Sequence, residues 1–281
     1  MSENTKPLQN QLLELPFKAI LIRCLDENKN LICNASGFIR FENGQHFLYT
    51  CWHVVTGYDR NDLKVGNRLP NRSFLEVNMQ DAQERQPGVT AIGGLQSFVI
   101  PLYNTSVEPK VPLWHQDKQH IPHLDLNAIN IFVPFWHDVI KIAIPNHTRT
   151  SETQVIDETM LWDWMITVGD KLFVVGFPYG YSTSGEQQPT PVVLTRFVAA
   201  TSVAGRSQVV LLESIGAPAM SGGPVFIERE SNIYLIGLYT GLIYPDYKHK
   251  SNEMTTALGT CSNMSLCLRG SLPLVLHTNE S

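Results

Sequence analysis

Short apolar runs, each closed off by Gly, Pro, Asn, Asp or Ser, recur along this chain and limit what it can fold into. The first half holds "FKAILIRC" (17–24), "LICNASGFIRF" (31–41), "HFLYTC" (46–51), "SFLEVNM" (73–79), "SFVIPLY" (97–103) and "LDLNAINIFV" (124–133). Runs of this length, rich in β-branched and aromatic residues, read as strands. Asn43-Gly44 between the second and third is a strong hairpin signal. A second set follows at 171–177, 191–203, 208–214, 223–229 and 232–241, with 204–207 and 230–232 as hairpin turns. "LPLVLH" (272–277) reads as a strand or the start of a closing helix. The expected class is all-β, with two strand-rich halves packed as barrels or sandwiches. Residues 1–15 read as a polar, loosely held arm, and 57–72 as loop. Residues 136–166 read as a linker, with a short helix in 151–165 capped by Ser151 and Gln154.

Composition narrows the function classes. Of 281 residues, 43% are hydrophobic and 17% charged, which fits a packed globular chain. The formal net charge is −5 and no Lys/Arg block stands out, so neither nucleic acid nor an anionic membrane is expected as a partner. No apolar run approaches the roughly 18–20 residues of a membrane span. The first residues lack the pattern of a signal peptide. The five cysteines are an odd, sparse set, unlike a disulfide framework. The expectation is a cytoplasmic protein with reduced thiols.

The stretch "GAPAMSGGPVF" (216–226) places two glycines and a proline after Ser221. A serine hydroxyl is a weak nucleophile and needs a base. His53, in "LYTCWHVVTG", follows a strand, and neutral imidazole suits that task near pH 7. Asp125, in "HLDLNAINI", heads an alternating run, and a buried carboxylate would fix the imidazole tautomer. Asp117 is its nearest rival, without the alternation that follows. Taken singly, Ser221 also fits a turn, His53 a core histidine and Asp125 a strand-start turn former. His115, His120 and His123 match no zinc spacing, and Cys261 with Cys267 lacks a second pair. No metal is expected. Trp162, Trp164 and Met165 read as packing in the linker.

"YTCWHVV", "DLNAINI" and "AMSGGPVF" together resemble the three motifs of trypsin-like serine peptidases of the chymotrypsin fold. "SGFIRF" (36–41), "VGDKLFVVGFPYG" (168–180) and "IGLYTG" (236–241) extend the resemblance over most of the chain. It implies two six-stranded antiparallel β-barrels, over 16–135 and 167–281, with the active site in the cleft between them. It implies His53 as general base, Asp125 as its orienter and Ser221 as nucleophile. The backbone N–H groups of Ala219 and Ser221 would form the oxyanion hole. Thr240, Gly241 and Leu242 would pair with substrate, and Ile215 and Gly216 would approach the base of the specificity pocket. No acidic residue stands there, so a small or medium apolar side chain is expected rather than Lys or Arg. No cofactor is implied. The partners implied are a peptide or protein substrate and a protein that delivers or regulates it. The family usually has glycine where this chain has Ala219, and Met220 replaces an aspartate of secreted members. A second reading is therefore a catalytically weak or inactive binding module of the same fold. An α/β-hydrolase esterase is excluded, because strand-like "PVFIE" follows the serine where that fold needs a helix.

Overall fold

Strands make nearly all the regular structure, as the short apolar runs dictate. The computed structural model describes residues 7–57, 71–86, 89–106, 111–115, 138–145, 154–156, 166–182, 189–201, 209–213, 217–243 and 258–263. The first half carries β1 (Ile20–Leu25), β2 (Leu31–Glu42), β3 (Gln45–Cys51), β4 (Phe74–Gln86), β5 (Val89–Pro101), β6 (Tyr103–Asn104), β7 (Val111–Pro112), β8 (Trp114–His115), β9 (Val139–Ala143) and β10 (Val155–Ile156). The second half carries β11 (Lys171–Gly176), β12 (Val192–Thr201), β13 (Val209–Leu212), β14 (Pro224–Arg229), β15 (Asn232–Ile243) and β16 (Leu258–Asn263). Helix α1 (Leu8–Glu14) precedes β1, and α2 (Trp52–Thr56) follows β3. The runs at 124–133, 204–207 and 272–277 lie outside the described residues.

The second half is the expected closed six-stranded barrel, in the order β11-β12-β13-β16-β15-β14. The first half is a sheet in the order β5-β4-β1-β2-β3-β9-β8, with β10 pairing β2 in parallel. Six of its strands are long, and two-residue β8 and β10 raise the count to eight; where a closed six-stranded barrel was expected, the pairing among the described residues is that of an open sheet with β5 and β8 at its edges. Asn43 (φ 50°) and Gly44 (φ 84°) both take the left-handed conformation and close the β2–β3 hairpin as their sequence implies. Glu230 (φ 48°) and Ser231 (φ 63°) do the same between β14 and β15.

Two segments differ from the sequence reading. The 136–166 stretch is not only a linker: it supplies β9 and β10 to the first sheet. The reason is apolar burial, since Val139, Ile140, Ile142 and Ile156 all enter the core. Val155–Ile156 is strand where a helix was expected. The polar-looking arm holds α1, because Leu8, Leu12 and Leu15 recur at helical spacing and pack on the core. Gln11 Oε1 accepts a hydrogen bond from the backbone N–H of Ile233 at 2.9 Å, which fixes the helix against β15.

One core runs through both halves. Ile20, Ile22, Phe38, Leu48 and Val77 pack in a single cluster with Phe173, Val175, Phe177, Phe226 and Leu238. A second cluster, with Leu172, Val174, Val198, Val225 and Ile236, fills the closed barrel. Successive residues of β11 therefore face different clusters, which accounts for its unbroken apolar run "LFVV".

Candidate active site

His53 lies in the single turn of α2, directly after β3. Gly57 ends that turn in the left-handed conformation (φ 78°), and its N–H donates to His53 O at 2.9 Å. Arg72 Nη1 donates to the same carbonyl at 2.7 Å and also to Val54 O. The imidazole is thus carried on a turn whose carbonyls are held by a guanidinium.

The carboxylate that meets it is Asp138. Its Oδ2 lies 2.5 Å from His53 Nδ1, and its Oδ1 accepts from His53 N at 3.0 Å. Its carbonyl accepts from Trp52 N at 3.1 Å. The Asp138 side chain is only 1% exposed, so its carboxylate is shielded from water, whereas the His53 ring is 23% exposed. With Nδ1 donating to Asp138, Nε2 is left to accept a proton. Asp125, expected in this role from its sequence context, lies outside the described residues. Asp138 carries the same signal that singled out Asp125, an aspartate heading an apolar alternation, "DVIKIA". What places it is tertiary: β9 pairs β3 with Val139 opposite Cys51, two residues from His53.

Ser221 sits in the turn before β14. Ser36 N donates to Ser221 O at 3.0 Å. Gly222 N donates to Tyr239 O at 2.7 Å, and Cys51 Sγ reaches the same oxygen at 3.4 Å. One carbonyl therefore joins the residue after Ser221 to the strand end that leads into His53. Only glycine fits at 222: a Cβ there would stand 2.1 Å from Ser36 O and 2.2 Å from Thr50 Oγ1, at φ 90°. At 223 a Cβ would stand 2.1 Å from Val175 O. The two glycines after the serine let the turn press against both halves.

Ala219 adopts φ 70°, the left-handed conformation that glycine ordinarily supplies. Both peptides around it are held. Pro218 O accepts from Tyr179 N at 2.6 Å, and because the peptide is planar this turns the N–H of Ala219 the opposite way. Ala219 O accepts from Ser36 Oγ at 2.8 Å, and Ser36 Oγ accepts from Phe177 N at 3.0 Å. Among the described residues, no backbone carbonyl takes the N–H of Ala219 or of Ser221. Met220 is fully buried in the closed barrel's core, where an aspartate would be unpaired.

Of the other expected site residues, Thr240 is buried and lies at a bulge of β15 against β16, between Tyr239 and Gly241. Gly241 and Leu242 continue β15 past its last β14 pair at Leu238. Ile215 and Gly216 lie outside the described residues, as do His120 and His123. His115 packs edge-on against Phe47, and burial and then Lys141 hold its pKa below the usual value. Cys51, His53 and Asp138 bring three metal-binding atom types within 4.8 Å, and each already has a protein partner.

No protein-family description and no curated protein matches this sequence. Solved structures do match the fold. The HtrA-type protease AlgW with a tripeptide superposes at a TM-score of 0.51 and 13% identity, over 93% of this chain and 61% of that one. A serine-to-alanine form of AlgW with a tripeptide gives 0.50 at the same identity and coverage. This chain thus spans 61% of the length of those chains. The strand order, the closed second barrel and these superpositions agree that the chain has the trypsin-like serine peptidase fold.

Proposed function

We propose that this chain is a serine endopeptidase that works through Ser221, His53 and Asp138. The observation that carries the reading is the 2.5 Å contact of a buried carboxylate with His53 Nδ1, beside a serine turn held by both halves. His53 Nε2 takes the proton of Ser221 Oγ as that oxygen attacks the substrate carbonyl. Asp138 holds the ring in place and stabilises the imidazolium. The N–H groups of Ala219 and Ser221 receive the charge that develops on the carbonyl oxygen, where one such donor is worth roughly 3 kcal/mol. His53 then protonates the leaving amine and activates water against the acyl-enzyme.

Thr240, Gly241 and Leu242 are assigned to pairing with the substrate strand, and Ile215 and Gly216 to the base of the specificity pocket. The tripeptide carried by AlgW agrees with a peptide ligand for this fold. A protein that delivers or regulates substrate, and a cytoplasmic setting, complete the proposal.

A fluorophosphonate probe tests it. Wild type is expected to be labelled at Ser221, and Ser221→Ala and His53→Ala are expected to remain unlabelled. A folded wild-type protein that takes no label, and gains none as Ala219→Gly, would instead favour an inactive binding module.

A further inference from the structure

Cys24 on β1 and Cys33 on β2 stand directly opposite each other in the antiparallel register. Opposed residues of this kind have Cα atoms about 4.5–5.5 Å apart, inside the roughly 4.4–6.8 Å that disulfides span. Both are free thiols here. Cys24 is fully buried, whereas Cys33 is half-buried and open to a small reagent. The register breaks at a bulge immediately after Cys24, where the backbone has room to adjust.

The pair is wired to the turn that carries His53. Cys24 Sγ donates to Val54 O at 3.5 Å, and Arg72 donates to that oxygen and to His53 O. The Cys24 thiol that faces it, then the charges of Arg72 and His53, lower the Cys33 pKa from 9.0 to about 6 against the opposing effect of burial. Cys24 is pushed the other way by the facing Cys33 and by burial. Near neutral pH this makes Cys33 the thiolate nucleophile and Cys24 its protonated partner.

We propose that Cys24 and Cys33 form a hydroperoxide-reactive dithiol that closes reversibly to a cross-strand disulfide and thereby loosens the turn bearing His53. The Cys33 thiolate attacks one peroxide oxygen, the O–O bond breaks, and hydroxide leaves, giving a sulfenic acid. The sulfur of Cys24 attacks the sulfur of that acid, and its proton leaves with the hydroxyl as water. Two thiols lose two electrons and hydrogen peroxide becomes two waters. A dithiol reductant reverses the reaction. Once the S–S bond exists, Cys24 has no proton to donate to Val54 O, and Arg72 loses its anionic neighbour. One tie on the turn is gone, and the loss of a hydrogen bond of this kind corresponds to an opening equilibrium shifted about 2–10-fold.

The test uses the full chain with hydrogen peroxide at pH 7. It reads the thiols by mass spectrometry of non-reduced peptides and the turn by amide hydrogen exchange over residues 52–57. Neither readout depends on peptidase activity. A peptide cross-linked through Cys24 and Cys33 is expected, with exchange in the turn about 2–10-fold faster and restored by dithiothreitol. Cys33→Ser should take up no oxidant at this pair, and Cys24→Ser should stop at a sulfenic acid trapped by dimedone. The proposal is overturned if Cys33 stays reduced, if it cross-links to Cys51 or another chain, or if the disulfide forms with no change in exchange.

Discussion

Within the serine turn, Ala219 is the non-glycine residue held at positive φ. At φ 70° its Cβ costs about 1–2 kcal/mol, whereas glycine there would lose roughly 0.5–1 kcal/mol to the entropy of the unfolded chain. Ala219→Gly is therefore expected to stabilise the protein by about 0–1.5 kcal/mol in urea denaturation. Ser36 carries more: it is buried, and its hydroxyl both donates to Ala219 O and accepts from Phe177 N. Ser36→Ala leaves those two groups unmatched and should cost about 1–3 kcal/mol. Cys33 offers a pH test. Its depressed pKa means that thiolate is lost only as pH falls through about 6, so its alkylation rate should already plateau near neutrality. An ordinary thiol would still be gaining rate above pH 8. Rates with iodoacetamide from pH 5 to 9 would check this. The local settings of His53 and Ser221, a strand before the one and a glycine turn after the other, were legible because each is a demand of the local backbone. The carboxylate was not, since two aspartates each head an apolar alternation and only the pairing of β9 with β3 brings one of them to the histidine.

At the scale of elements, the joint between the halves rests on Gly222. A methyl group there would meet Ser36 O and Thr50 Oγ1 well inside contact distance, on a backbone that already has φ 90°. Gly222→Ala should cost at least about 3 kcal/mol, measured by chemical denaturation. Helix α1 is a milder case: Leu12 is only partly buried against the core, and Leu12→Asp should cost about 1–2 kcal/mol and undock the helix from β15. Hairpins with their own turn chemistry were readable in the sequence, as at Asn43-Gly44. β10 was not, because two residues carry no periodic signal and their partner on β2 lies more than a hundred positions away. Leu8, Leu12 and Leu15 are spaced for one helical face, but the polar residues between them give the stretch the look of an arm.

Across the molecule, the two halves share a core, with Phe173, Val175, Phe177 and Phe226 packed among the residues of the first sheet. The halves should therefore unfold together, with tryptophan fluorescence and far-ultraviolet circular dichroism giving coincident transitions. The fold class was legible because alternation and turns repeat along the chain; the continuity of the core was not, since β11 gives one apolar run for two different environments. The same packing brings β9 beside β3 and sets Asp138 against His53. The most direct measurement is the rate of fluorophosphonate labelling in Asp138→Asn and Asp125→Asn. Asp138→Asn is expected to react about 10³–10⁴-fold more slowly than wild type, because an amide cannot hold the imidazole in the required tautomer, and Asp125→Asn at the wild-type rate. Normal labelling of Asp138→Asn, with loss in Asp125→Asn, would contradict the assignment.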